Sequence, residues 1–426
     1  MAAATAARTL RRIGHAGPVT MLCGEGLPPY SRPALMYALM GHVRPRETAL
    51  HSDAVWRSLG VNLVSARAAS LDLAARHVTL GGGDTLDFDR LLVATGSAAR
   101  RLGVPGEDLT GVVRFWGVHD LAPIVRAAGA AKDAAAESGE TACAVVVGGG
   151  LSGIELCECL SYLGLRVTLL VREDRLMGRA LAPEESDRAL AALVGGGVAV
   201  RFRTNVASID ADAATGGVAG VTFTNGGSMD CRVVGVTVGV APDVAWLDGS
   251  GVDVGRGVRV DAALAAVGAG GAVFAAGDCA ELAAFDTGDG RGGRLEQLWY
   301  TARAQGAVAA YGLAGSPRPY DPGVPFNSAK VFDTEWQAYG AYDTDAAAAG
   351  WTTHRYADAR RGALLRLVAG DGGRLVAVSA MGARLRGETV RAWIDDGRRA
   401  DDVRGRLAEI AFDAEFDARR FVAVAA

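Results

Sequence analysis

Gly148-Gly149-Gly150-Leu151-Ser152-Gly153 carries the spacing G-x-G-x-x-G. An apolar run at 142–147 precedes it and reads as a buried parallel strand. An apolar helical pattern at 154–165 follows, and then a second strand at 167–171. In such a strand–turn–helix–strand unit each glycine has a task. Gly148 permits the tight turn, Gly150 lets backbone approach a pyrophosphate, and Gly153 lets helix and strand pack closely, with the helix N-terminus facing the anion. The chemistry expected here is dinucleotide binding; a glycine-rich structural turn is the competing reading. A unit that prefers NAD commonly ends its second strand with an acidic residue for the ribose diol. Here Val171 takes that place, followed by Arg172-Glu173-Asp174-Arg175. Arg172 is placed to meet a 2′-phosphate, which favours NADPH. Glu173, turned inward, would hold the diol and favour NADH, and a solvated charged turn is the third reading.

The elements that must position these residues belong to a long chain. Its 426 residues suffice for two or three domains. The 58 glycines against 13 prolines suit an α/β fold with many tight turns. A net charge of −4 gives no footprint for nucleic-acid binding. No uninterrupted apolar run is long enough for a membrane span; a cytoplasmic location is expected, unless a targeting segment precedes Met1. The cysteines (Cys23, Cys143, Cys157, Cys159, Cys231, Cys279) form no C-x-x-C and read as buried or incidental thiols. The histidines (His15, His42, His51, His77, His119, His354) lack metal-ligand spacing, so no metal is expected.

The N-terminus reads as the second half of another nucleotide unit. A helix at 2–12 leads to a strand at 19–23 and then to Glu25, an acidic residue suited to a ribose hydroxyl. Its first strand and glycine loop are expected upstream of Met1, and without them the chain is expected to bind its nucleotide weakly; a natural variant that binds without that cradle is the competing reading. Short strands at 61–64 and 77–80 read as lying around a small β-meander. A buried strand ends at Ala94-Thr95-Gly96. The second nucleotide unit closes with a strand at 233–238, Gly239 and Pro242. Another strand at 272–276 ends in Gly277-Asp278, and a helix is expected from Glu296 to Leu313. After Pro317-Arg318-Pro319 the pattern at 329–340, 363–368 and 375–381 alternates like an antiparallel sheet. Helices near 388–396 and 401–410 follow. The fold class expected is α/β: two Rossmann-like nucleotide-binding domains, the second inserted in the first, and a C-terminal α+β domain. The expected boundaries are 1–112, 113–240, 241–320 and 321–426.

Four motifs stand in order: Ala94-Thr95-Gly96, the glycine loop at Gly148, Gly239 with Pro242, and Gly277-Asp278. Together they resemble the FAD-dependent pyridine nucleotide–disulfide oxidoreductase superfamily over essentially the whole chain. Tyr30-Ser31-Arg32-Pro33-Ala34-Leu35-Met36-Tyr37 and Phe326-Asn327-Ser328-Ala329-Lys330 resemble its ferredoxin/rubredoxin-reductase and nitrite-reductase-flavoprotein branch. The resemblance implies that Glu25 holds the FAD adenosine ribose and that Arg32, beside Pro33, contacts the FAD phosphates. It implies that Thr95-Gly96 passes the pyrophosphate. Asp278 would accept hydrogen bonds from the ribityl chain or phosphate linkage, with Gly277 giving clearance; a helix N-cap is the competing reading. Trp299 falls where the branch places an aromatic beside the isoalloxazine, although a helical Trp is more often core. Phe326 and Asn327 would line the acceptor side, or simply begin a strand.

Departures from the superfamily carry equal information. The window from Pro28 to Gly41 has no cysteine, so a disulfide or persulfide relay is excluded and electrons must leave directly from the flavin. The branch often pairs a lysine after the Arg-Pro with the glutamate of the second glycine motif. That glutamate is Glu155, and the lysine position holds Tyr37. These two form the candidate catalytic pair, with a Tyr37–Glu155 hydrogen bond in place of the ion pair. The activity expected is FAD-dependent hydride transfer from NADPH or NADH to flavin. Electrons then pass to a small electron-transfer protein, a quinone or another small molecule. The alternatives are a redox-sensing nucleotide-binding module and a flavoprotein subunit of a larger reductase.

Overall fold

Small side chains decide how the N-terminal helix packs. In the computed structural model, which describes residues 1–286, 293–341, 349–358, 362–412 and 422–424, the helix Ala2–Arg12 buries Ala2, Ala4, Ala6, Ala7 and Leu10. The helix Trp299–Leu313 lies against it. A β-carbon on Gly306 would stand 2.3 Å from the Ala2 carbonyl oxygen, so a glycine is what allows this approach. Both helices belong to the first of two units, Met1–Arg100, Trp116–Leu121 and Val240–Pro322.

Two parallel strand pairs complete that helical layer. Val19–Leu22 pairs with Val61–Val64 in the register Val19↔Val61. Leu91–Val93 pairs with Val273–Ala275 in the register Leu91↔Val273. Val19 and Leu92 pack against one cluster with Ala6, Leu10 and Ala310, so the first helix covers both pairs. The expected meander exists as Ala68–Asp72, His77–Leu80 and Thr85–Asp87. Val61–Val64 is not part of it, because its apolar face is used under the N-terminal helix beside Met21 and Trp56.

The second unit comprises Arg101–Phe115, Ala122–Gly239 and Gly323–Ala426. Its centre is a parallel sheet in the order Ala199–Arg201, Arg166–Leu170, Cys143–Val147, Val233–Val236, Val112–Arg114. The central strands bury both faces: Val145, Val146, Val167, Leu169, Val233 and Val234 are nearly inaccessible, as a strand between helical layers must be. The helices Leu151–Tyr162 and Pro183–Gly195 follow successive strands. This is the expected α/β architecture.

The C-terminal part of this unit is an antiparallel sheet. Its order is Phe326–Val331, Thr334–Gly340, Leu375–Met381, Ala363–Ala369, Thr352–Asp358, Val422–Val424. Trp393 of the helix Gly387–Asp395 sits in its core with Leu365, Leu367 and Val378. Two expectations are corrected here. The run 329–340 is two strands, because Phe332 takes a left-handed φ of 49° and turns the chain into a hairpin. The expected helix 401–410 splits into Ala400–Arg404 and the 3-10 turn Leu407–Ile410. In the first unit the helix expected from Glu296 begins at Trp299. The residues before it turn their side chains into buried hydrogen bonds instead.

Candidate functional site

In the first unit the candidate residues gather around two turns and one acidic side chain. Ala94-Thr95-Gly96 follows the buried strand Leu91–Val93. Thr95 Oγ1 donates to the Asp243 carbonyl at 2.7 Å, and the Asp243 N–H donates to the Gly96 carbonyl at 2.9 Å. Gly96 has φ 73°, and a β-carbon there would meet nothing within 4 Å, so the turn faces open space. Gly277, with φ 84°, lies two residues past the strand Val273–Ala275 and precedes the half-buried Asp278. Ser97 Oγ donates to Asp278 Oδ2 at 2.8 Å. Burial pushes the Asp278 carboxyl above the usual range, while that hydrogen bond and the Arg32 charge oppose the shift.

Glu25 stands just past the strand Val19–Leu22 and is held from three sides. Tyr30 donates its hydroxyl to Glu25 Oε2 at 2.7 Å, and the Arg32 guanidinium pairs with the same oxygen at 3.1 Å. His119 donates through Nε2 to the Glu25 carbonyl at 2.7 Å. Arg32 also donates to the Trp116 carbonyl at 2.9 Å and lies 5.3 Å from the centres of both the Tyr30 and Trp116 rings. Burial, with the Glu25 contact added, drives the Tyr30 phenol well above its ordinary range, so it stays a donor. Pro33 is the second residue of the short 3-10 turn Arg32–Ala34, where its missing N–H costs nothing. Tyr37 is exposed, its ring 6.3 Å from His42. Trp299 is half-buried at the start of its helix, edge-on to Tyr300 at 5.4 Å.

The second unit holds the other glycine loop, and the three glycines divide their work. A β-carbon on Gly148 would stand 2.3 Å from the Thr237 carbonyl oxygen, and one on Gly153 would stand 2.0 Å from the Gly148 oxygen. Both positions are filled by protein. Gly150 is the opposite: it caps the helix Leu151–Tyr162, and a β-carbon there would meet nothing within 4 Å. The helix N-terminus is therefore open above Gly150, the arrangement that receives a phosphate. Thr237 fastens the loop by donating to the Val147 carbonyl at 2.9 Å. Gly239, with φ 101°, follows at the end of that segment.

Glu155 lies one turn into the helix, half-buried, with Glu158 one turn further. Burial, reinforced by the Glu158 charge, pushes the Glu155 carboxyl up to about 7. Lys330 Nζ stands 3.1 Å from Glu158 Oε1 and balances that charge. Arg172 is exposed just past the strand Arg166–Leu170 and pairs with Glu173 at 2.8 Å. Tyr37 and Glu155 belong to different units.

Sequence reasoning did not identify Tyr30, Ser97, Trp116, His119 or Thr237. Tyr30 meets Glu25 five residues away, but the others act through partners far away in the chain: Arg32 and Trp116 are 84 residues apart, Ser97 and Asp278 181. No local pattern marks such pairs. The cysteines offer no second centre. All six thiols are free, and burial drives Cys157 and Cys159 well above the ordinary thiol range. Among the described residues no helix is long and apolar enough to cross a membrane.

The sequence model described as pyridine nucleotide-disulphide oxidoreductase matches residues 1–306. The anthranilate 1,2-dioxygenase system ferredoxin–NAD(+) reductase component of Burkholderia cepacia is 32% identical, over 89% of this chain and 88% of its own. The probable ferredoxin reductase CtmF of Castellaniella defragrans is 31% identical over 81% of each chain. The crystal structure of the ferredoxin reductase for the CYP199A2 system of Rhodopseudomonas palustris superposes with a TM-score of 0.77. It covers 98% of this chain and 95% of its own, and at 24% identity it shows the shared fold. The chain belongs to the pyridine nucleotide-disulphide oxidoreductase family and is an oxidoreductase.

Proposed function

We propose that the chain is an FAD-dependent NAD(P)H oxidoreductase that passes electrons to a small ferredoxin- or rubredoxin-type protein without a redox disulfide. The observation that carries the nucleotide chemistry is the pair of glycine turns facing open space, Gly96 in the first unit and Gly150 in the second. The acceptor class rests on the relatives, whose names make them ferredoxin reductases.

The residues of the first unit fit FAD. Glu25 is held by Tyr30 and Arg32 yet remains 30% exposed. A carboxylate has about four acceptor sites, and Glu25 uses three, so one is left for a ribose hydroxyl. Arg32 and Pro33 lie beside it for the phosphates. Ala94, Thr95 and Gly96 supply a backbone turn that no side chain obstructs. Gly277 and Asp278 supply clearance and an acceptor, and Trp299 an aromatic face. When bound, FAD supplies the conversion of a hydride from nicotinamide into single electrons.

In the second unit, Gly148 and Gly153 shape the loop, Gly150 admits the pyrophosphate, and Gly239 closes the segment. Glu155 holds a proton on its carboxyl below about pH 7 and releases it above. Arg172 gives NADPH the advantage by offering its guanidinium to the 2′-phosphate, at the cost of its pairing with Glu173. Tyr37 takes the lysine position of the branch and offers a hydroxyl there. The cysteines take no part.

The experiment mixes purified, FAD-reconstituted protein with NADPH or NADH under anaerobic conditions and then adds a ferredoxin, a rubredoxin or a quinone. The reading expects the small iron proteins to be reduced at a rate that scales with enzyme. Turnover confined to quinones would replace the acceptor, and no turnover with any of them would overturn the reading.

A further inference from the structure

The turn that presents Asp278 is braced from behind by a buried polar network. Gln305, inside the helix Trp299–Leu313, is fully buried. Its Oε1 accepts the Gly277 N–H at 2.7 Å. Its Nε2 donates to Glu296 Oε2 at 3.0 Å. Glu296 is 6% exposed and also accepts the Tyr320 hydroxyl at 2.7 Å on the same oxygen. Its other oxygen takes the Arg294 guanidinium. The next residue reaches the same turn from another side: Gln297 Nε2 donates to Ser97 Oγ at 3.1 Å, and Ser97 donates to Asp278. Trp116 donates its indole N–H to the Ser97 carbonyl at 2.7 Å and fixes that residue in turn.

Two adjacent residues, Glu296 and Gln297, thus feed two branches that meet at consecutive positions. One ends on the Gly277 amide and the other on the Asp278 carboxylate. A buried carboxylate and a buried amide side chain are costly unless every group is paired. A helix that needed only to pack would carry a leucine at 305 and avoid that cost. The Gly277 N–H has a reason to need this partner. The residue takes a left-handed φ of 84°, and a β-carbon would already touch Ala2 and Ala302 at 3.4 Å. Tight packing fixes the chain there, and Gln305 fixes its hydrogen-bonding direction.

We infer that Gln305, oriented by Glu296, is a positioning residue for the FAD site, acting through the Gly277 amide to aim Asp278. This deepens the functional reading above and rests on it. Bound networks of this kind are not a sum of pairs, so the effect should be visible as coupling between Gln305 and Asp278.

The test is FAD affinity of the apoprotein, followed by quenching of flavin fluorescence. The variants are Gln305→Met, Asp278→Asn and the double variant, with thermal unfolding of each apoprotein as a check. Gln305→Met should weaken FAD binding by about tenfold to a hundredfold, the range for losing one partner of a buried hydrogen bond. In the Asp278→Asn background the same change should cost less than about threefold, because the two act as one unit. Gln305→Glu keeps the acceptor for Gly277 and can share one proton with Glu296, as close carboxyl pairs do. It should restore affinity to within about threefold of the parent. Unchanged affinity in Gln305→Met, or losses that simply add in the double variant, would overturn the inference while leaving FAD binding in place. If Gln305→Met fails to fold, Tyr320→Phe, which removes the hydroxyl that helps to hold Glu296, carries the same comparison with Asp278→Asn. A parent protein that binds no FAD would overturn the functional reading, and the inference with it.

Discussion

Asp278 and Glu155 are both carboxyls raised by burial, but their surroundings assign them different work. Asp278 has a dedicated donor in Ser97 and a nearby cation in Arg32. The charge that acts on Glu155 is another carboxylate, Glu158, whose own charge is met by Lys330. A carboxyl raised from 4.5 to about 7 in the folded state binds more protons than in the unfolded chain across that window. Its ionisation therefore destabilises the fold progressively as pH rises from about 4.5 to about 7. Glu155→Gln should accordingly raise the stability of the protein at about pH 8 by roughly 1–3 kcal/mol and change it little at about pH 5. Denaturant unfolding at the two pH values checks this, and an equal effect at both would remove the titration of Glu155 as the cause. At the same scale, Arg172→Ala should lower kcat/KM for NADPH by about tenfold, the lower end for a charge-assisted hydrogen bond because Glu173 competes for the guanidinium. The value for NADH should hardly move. Equal losses with both nucleotides would mean that Arg172 does not read the 2′-phosphate.

The glycine loop shows how one element separates folding from binding. Gly153→Ala would drive a β-carbon to 2.0 Å from the Gly148 oxygen. A loss of roughly 1–3 kcal/mol or more in stability is expected from such overpacking. Gly150→Ala adds a methyl to open space at an extended φ of −85°, so thermal unfolding of the free protein should stay nearly unchanged. NAD(P)H affinity should nevertheless fall by about tenfold, because the methyl would stand between the helix N-terminus and the pyrophosphate. Titration calorimetry beside a melting curve separates the two, and a Gly150→Ala protein that binds normally would move the pyrophosphate away from this loop.

Elements such as this loop were legible in the sequence because their signals are local. The spacing of Gly148, Gly150 and Gly153 and the valine-rich strands on either side fit within about thirty residues. The pairing of Val61–Val64 was not legible, because an isolated short strand does not show its partner. A long-range choice under the N-terminal helix sends it to Val19–Leu22. The helix expected from Glu296 starts three residues later because Glu296 and Gln297 spend their side chains on Gln305 and Ser97. Helical periodicity carries no mark of such a diversion. The Glu25–Tyr30–Arg32–Trp116–His119 cluster was half visible: Glu25 and Arg32 stood out by type, while the residues that hold them did not.

On the scale of the whole molecule, the proposed function assigns one nucleotide to each of the two units and electron transfer without a thiol relay. The described thiols of Cys157, Cys159 and Cys279 are buried and held in their neutral form. Alkylating the accessible cysteines, Cys23 and Cys143, should therefore leave NAD(P)H-driven reduction of an artificial acceptor nearly intact. A loss that tracks modification of one residue would reveal a relay. The most direct measurement of the central claim is the stoichiometry of reduction. Protein carrying FAD is titrated anaerobically with its preferred reduced nicotinamide while the visible flavin absorbance is followed. Direct transfer without a disulfide predicts that one equivalent per bound flavin bleaches the band completely. A requirement for two equivalents, with a thiol pair appearing as the second is consumed, would contradict it.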